Sequence, residues 1–290
     1  MDEFALLEEN AAELGQAIAV PAVRRVDTTV GDQVVSALAW GTQPPRAVFL
    51  HGGGQNAHTW DSVLLALGVP ALAIDLPGHG HSSWRADRDY GPITNAETIA
   101  PVIVELAPDA ELVVGMSLGG LTTIRLAAAF PDLVPAAVLV DVTPESPRLA
   151  AELERQARGT VALMSGPQEF ATLDEVVELT QQAAPHRSPA SIRRGVIHNT
   201  RQRDDGKWVW RYDRLREAPL QHPLWEDLEN STAPMTLVRG ARSPFTTDDD
   251  IARFRNRSAA TELVSVADAG HSVQSDAPLR LAEVIGRVLG

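Results

Sequence analysis

The sequence predicts an α/β fold: a mostly parallel central sheet flanked by helices, interrupted by a mainly helical insertion. Three observations predict it. Short apolar runs alternate with helix-like segments from residue 47 to residue 141. The alternation stops over residues 145–230, where charge rises and Trp208, Trp210, Tyr212 and Trp225 fall, and it resumes at Met235. A Gly-x-Ser-x-Gly segment, Gly115-Met116-Ser117-Leu118-Gly119, lies between an apolar run and a helix-like one. Runs that are apolar throughout suit strands covered on both faces, as in a parallel sheet.

Each element has its own signal. Residues 3–18 carry Phe4, Leu6, Leu7, Ala11 and Leu14 at helical spacing, which predicts a short N-terminal helix covering the body. Residues 22–40 alternate about the turn dipeptide Gly31-Asp32 and predict a hairpin. Strands are expected at 47–50, 71–75, 112–114 and 136–141, with helices at 60–67, 95–106 and 121–130 between or after them. Residues 145–230 read as helices with irregular connections, including Asp204-Asp205-Gly206. Strand and helix return at 235–238, 248–254, 262–266 and 279–289. The expected division is a core of residues 1–144 and 231–290 and a cap of residues 145–230.

Composition narrows the function classes. A length of 290 residues accommodates one large α/β domain with an insertion. The net charge of −13 argues against nucleic acid or an anionic membrane surface as a partner. The chain has no cysteine, which excludes disulfides, thiolate metal sites and cysteine nucleophiles. Met1-Asp2-Glu3-Phe4 lacks the basic and apolar regions of a secretion signal, and no apolar run approaches the roughly 20 residues of a membrane span. A cytoplasmic location is expected. The oligomeric state is left open, a homodimer included.

Ser117 is the candidate nucleophile. In a strand–turn–helix, flanking glycines let the central serine take a strained conformation that exposes its hydroxyl above the sheet. A serine hydroxyl is inert at neutral pH without a neighbouring base. His271 follows the last predicted strand, where a base would be presented. Two oxyanion donors are expected: the N–H of Leu118 and that of Gly53, with Gly54 as the next choice, from the loop His51-Gly52-Gly53-Gly54. A phosphate-binding reading of that loop is poor, because no Lys-Ser/Thr follows it and no Gly-x-Gly-x-x-Gly is completed. Gly54, Met116 and Trp208 are named as substrate contacts, although Trp208, with His186, His198 and Trp210, suits a small core of the cap equally well. His79 and His81 lack a third ligand, so no metal and no cofactor is expected.

His51-Gly52-Gly53-Gly54, Asp75-Leu76-Pro77-Gly78-His79-Gly80-His81-Ser82, Gly115 to Gly119 and Gly270-His271 follow one another as in the α/β-hydrolase superfamily, which the chain resembles from about residue 22 onward. The resemblance implies a hydrolase fold with a cap and a Ser–His–acid site. It also implies that the His79 loop is structural. Families with aspartate at the elbow, the epoxide hydrolases and haloalkane dehalogenases, are disfavoured by Ser117.

One position departs from the pattern. The acid commonly follows the strand at 235–238, where this chain has Arg239-Gly240-Ala241-Arg242-Ser243-Pro244. Proline stands where similar sequences carry aspartate. A second position known in the family lies about two dozen residues after the nucleophile, and Asp141 occupies it at the end of an otherwise apolar strand. Asp141 is therefore the expected acid, although it could merely cap the following loop. Asp248, Asp249 and Asp250 are the fallback, and they also suit the first turn of a helix. The expected reaction is cleavage of a carboxylic ester or lactone through an acyl-enzyme. The alternatives are C–C bond hydrolysis of a diketone and a ligand-binding protein without catalysis.

Overall fold

The computed structural model describes residues 2–15, 18–148, 163, 166–214, 224–257 and 261–290. The first strands form the predicted hairpin: β1 (Val23–Val30) and β2 (Gln33–Trp40) pair antiparallel about Gly31, whose φ of +62° suits a residue without Cβ. The remaining strands of the main sheet are β3 (Ala47–Leu50), β4 (Ala71–Ile74), β5 (Leu112–Met116), β6 (Ala137–Val140), β10 (Met235–Gly240) and β11 (Thr261–Val266). Their order is β1-β2-β4-β3-β5-β6-β10-β11, and every pair from β4 to β11 is parallel.

The apolar runs bury both faces of this sheet. Val48 and Leu50 join one core cluster, whereas Ala47 and Phe49 join the other. Ala137 and Leu139 divide from Val138 and Val140 in the same way, as a period of two requires. Helices cover the two faces: α1 (Leu7–Glu13), α2 (Asp61–Leu67), α3 (Pro92–Leu106) and α4 (Leu118–Ala129) in the first half of the chain. Helix α4 comes very close to β3. A Cβ built on Gly119 would lie 2.2 Å from the Leu50 carbonyl oxygen, so only glycine lets the elbow helix seat there.

Between β6 and β10 the described residues form helices α5 (Leu173–Ala183) and α6 (Pro189–Asn199) and a small antiparallel sheet, in the order β7 (Glu169–Phe170), β9 (Trp208–Trp210), β8 (Thr200–Gln202). Thr172 and Ser188 cap the two helices by accepting the Glu175 and Ser191 N–H groups. Asp204-Asp205-Gly206 is the turn joining β8 to β9, closed by Arg203 N–H to the Lys207 carbonyl at 2.8 Å. The sheet adds to what the sequence predicts, because strands of two and three residues are too short to display alternation. Phe170, Val176, Ile192, Val196, Trp210 and Tyr212 bury one another in a core of their own, with Trp208 packed against it. Residues 149–162, 164–165 and 215–223 of the expected cap lie outside the described residues.

The last helices are α7 (Leu224–Asn230), α8 (Asp248–Arg257), α9 (Val273–Asp276) and α10 (Pro278–Leu289). Among the described residues no helix is long and apolar enough to cross a membrane.

Candidate active site

The parallel pairing of β5 with β6 sets Met116 beside Val140, so the next residues, Ser117 and Asp141, leave the sheet as neighbours. Both take the left-handed region, with φ of +50° and +51°. Such a conformation costs a side-chain-bearing residue about 1–3 kcal/mol and persists only where its surroundings enforce it. Backbone bonds enforce it here: Ser117 N–H donates to the Val140 carbonyl at 3.3 Å, and Asp141 N–H donates to that of Val238 at 2.7 Å. The Leu121 N–H closes the first turn of α4 on the Ser117 carbonyl at 2.9 Å. Ser117 thus stands at the N-terminus of a helix, above the carboxyl ends of the strands.

Asp141 is fully buried and surrounded by donors. Its Oδ1 accepts from Gly240 N–H and the Thr246 hydroxyl, each at 3.1 Å. Its Oδ2 accepts from the Ser243 hydroxyl and meets His271 Nδ1 at 2.7 Å. A carboxylate facing Nδ1 makes that nitrogen the protonated one and leaves Nε2 as the basic atom. Phe245 stacks on the imidazole, with centroids 3.7 Å apart and planes 17° apart. Gly270 N–H is held at 2.9 Å by Asp276, whose other oxygen takes Arg187 Nε at 2.9 Å. The segment whose missing acid moved the expectation to Asp141 therefore supplies groups that hold that acid, Gly240, Ser243 and Thr246, and the ring that stacks on its histidine, Phe245. Sequence reading missed them because hydroxyls and a phenyl ring carry no motif. The signal available was that two hydroxyl residues, Ser243 and Thr246, lie within two positions of Pro244. Asp248, Asp249 and Asp250 open helix α8. Asp250 accepts from Thr247 N–H at 3.0 Å, and Asp248 pairs with Arg239.

The glycine loop after β3 lies beside the elbow, since Leu50 pairs with Gly115. Its peptide groups are fixed one by one. Gly52 N–H donates to Gln55 Oε1 at 3.1 Å, and the Gly52 carbonyl accepts from His51 Nδ1 at 2.7 Å and Gln55 N–H at 3.2 Å. Gly54 N–H donates to His79 Nε2 at 3.1 Å, so Gly54 does not offer the alternative oxyanion donor. Gly119 N–H donates to the His51 carbonyl at 3.0 Å. The N–H groups of Gly53 and Leu118 have no partner among the described residues. Met116 is buried beneath this loop, and a Cβ on Gly52 would strike its sulfur at 2.4 Å. Met116 thus props the loop from the core. Trp208 packs on the small core, the alternative its position also allowed.

The loop histidines are structural and neutral. Burial, followed by the neighbouring His79, pushes His51 down to about 3. Burial likewise lowers His79, whose two ring nitrogens face the Pro77 carbonyl and Gly54 N–H. Asp75 is buried and organises the same region through Ala57 N–H at 2.7 Å, His81 N–H at 2.9 Å and Arg25 Nη1 at 2.8 Å.

His58, Asp61 and His198 bring three ligand atoms within 4.8 Å of one another. The rings of His58 and His198 are stacked, 3.7 Å between centroids and 14° between planes. Lone pairs lying in near-parallel planes do not converge on one ion. Both nitrogens of His58 instead face carboxylates, Asp61 at 2.9 Å and Glu3 at 3.2 Å. Burial opposes charge on this ring, but the two carboxylates outweigh it and raise its pKa to about 9. Because the folded value lies above the ordinary 6.5, the resulting stability is present below pH 6.5 and lost as pH rises through about 9. Thermal melts across that interval should fall less steeply for His58→Gln than for wild type; equal slopes would remove His58 as the titrating clasp.

The model of the Alpha/beta hydrolase family matches residues 47–284. The chain belongs to the α/β-hydrolase family. It is 55% identical to the esterase Rv0045c of Mycobacterium tuberculosis (strain ATCC 25618 / H37Rv), over 100% of this chain and 96% of that one. A solved structure of that M. tuberculosis esterase superposes with a TM-score of 0.91, covering 100% and 99% of the two chains. Lipase LipV of the same organism is 27% identical over 85% of this chain and 94% of its own. The structure of an E-2-(acetamidomethylene)succinate hydrolase, 22% identical with a TM-score of 0.80 over 92% and 99% of the chains, shares the fold.

Proposed function

We propose that the chain is a serine esterase that cleaves small carboxylic esters, lactones included, through an acyl-enzyme. The observation that carries this reading is the 2.7 Å contact of His271 Nδ1 with Asp141, one residue beyond the strand beside the elbow strand. His271 Nε2 takes the Ser117 proton as Oγ attacks the carbonyl carbon. The N–H groups of Gly53 and Leu118 stabilise the oxyanion, each worth about 2.7–4 kcal/mol in the transition state. The imidazolium, stabilised by Asp141, then gives its proton to the departing alkoxide. Water enters, loses a proton to the same nitrogen and attacks the acyl carbon, and the acid leaves as Ser117 is reprotonated. The 55% identity to an esterase over the whole chain supports the substrate class.

Residues 145–230 act in this reading as a cap over that site, with residues 1–144 and 231–290 as the core. Its separate apolar cluster supports the division. Gly54, in the oxyanion loop, borders the substrate in this reading, and the location is cytoplasmic. The test is a panel of p-nitrophenyl esters of rising acyl length alongside γ- and δ-lactones. Turnover of the short esters is expected. Failure on every ester and lactone, with cleavage of a diketone, would move the chain to C–C hydrolysis.

A further inference from the structure

We infer that Asn199, the last residue of helix α6, is a positioning residue for the oxyanion hole, so that the insertion sets the catalytic geometry of the core. This rests on the active-site reading above. Asn199 Nδ2 donates to the Gly54 carbonyl at 2.7 Å, and its Oδ1 accepts from Asn56 Nδ2 at 3.0 Å. The network fixes both amide orientations. Asn56 Oδ1 accepts the His58 N–H at 3.0 Å, so Asn56 turns its NH2 to Asn199. Asn199 must then present its oxygen there and its NH2 to Gly54.

The geometry of the loop gives this bond its consequence. Gly54 has a φ of +70°, and the N–H on one side of it is held by His79. Asn199 holds the carbonyl on the other side. The peptide that carries this carbonyl also carries the Gln55 N–H, which with His51 Nδ1 holds the Gly52 carbonyl. In a trans peptide the C=O and N–H point opposite ways. Holding the Gly54 carbonyl therefore sets the Gln55 N–H toward the Gly52 carbonyl, and holding the Gly52 carbonyl sets the Gly53 N–H on the opposite side of its own peptide. Of these clamps, Asn199 is the one that comes from the insertion.

Helix α6 is itself tied down. Arg194, buried on α6, meets Glu9 at 2.9 Å and also Glu13, both on the N-terminal helix α1. Asn10 of α1 receives the Ser62 hydroxyl at 2.9 Å from helix α2. A continuous chain of contacts thus runs from the core helix α2 through α1 and α6 to the oxyanion loop. An interaction used to aim a transition-state donor should affect kcat more than KM.

The test compares Asn199→Asp and Asn199→Ala with wild type and Ser117→Ala on p-nitrophenyl acetate, with kcat normalised to sites titrated by a fluorophosphonate. Asn199→Asp keeps an acceptor for Asn56 but sets a carboxylate oxygen against the Gly54 carbonyl, isolating the bond that matters. Both Asn199 variants should lose about tenfold or more in kcat, part of the cost of losing a donor outright. Their KM should stay within about twofold of wild type. Wild-type kcat per titrated site in Asn199→Asp, with Ser117→Ala inactive, would overturn this inference and leave the active-site reading standing. Undiminished turnover by Ser117→Ala would overturn both.

Discussion

Ser117→Ala should abolish ester turnover, lowering kcat by about six orders of magnitude, the scale of losing a serine nucleophile. The fold should be untouched, because alanine keeps the Cβ and removes only the hydroxyl. Ser117→Gly should be equally inactive yet more stable, since glycine occupies the left-handed region without the strain of about 1–3 kcal/mol that a side chain incurs. Thermal melts beside initial rates check both halves. A Ser117→Gly protein no more stable than wild type would mean that the elbow stores no strain. Residual turnover well above that scale in either variant would point to another nucleophile.

Asp141→Asn should lower kcat by about four orders of magnitude, the effect of an amide in this position of a Ser–His–Asp site. An amide NH2 facing Nδ1 turns that nitrogen into an acceptor and sends the ring proton to Nε2, where it blocks removal of the Ser117 proton. The change also strains the pocket. Gly240 N–H, Ser243 and Thr246 all donate toward the carboxylate, and one of them would face the new NH2. A stability loss of about 1–3 kcal/mol is expected for the donor left unpaired. Asp248→Asn and Asp249→Asn should retain near wild-type rates, because these residues begin helix α8. The reverse pattern, an active Asp141→Asn and a dead Asp248 or Asp249 variant, would displace the acid from Asp141.

The parallel sheet and the elbow were legible because their signals are local. Four apolar residues at Ala47–Leu50 and four at Ala71–Ile74, too short for helices and alternating with helix-like segments, read as strands buried on both faces. Ser117 and His271 were legible for the same reason, being announced by glycines and by position after a strand. Asp141 needed an inference from absence, Pro244 standing where an acid was expected. Its partners Ser243 and Thr246, and the Phe245 ring stacked on His271, could not be read, because what makes them functional is where β10 ends relative to β6, a fact of sheet order. The small sheet escaped through shortness. Asn199 escaped through distance: 145 residues separate it from the Gly54 carbonyl it holds. Met116, by contrast, was legible as a neighbour of the nucleophile, but its side belongs to the core, since successive residues of a strand face opposite ways.

The central claim is that Ser117 is a nucleophile activated by a histidine oriented from Asp141. Incubation with a fluorophosphonate followed by peptide mapping by mass spectrometry tests it most directly. The account predicts a single phosphonyl adduct, on Ser117, formed rapidly in wild type and slowed by orders of magnitude in Asp141→Asn. An adduct on another residue, no adduct at all, or equal labelling rates in wild type and Asp141→Asn would contradict it.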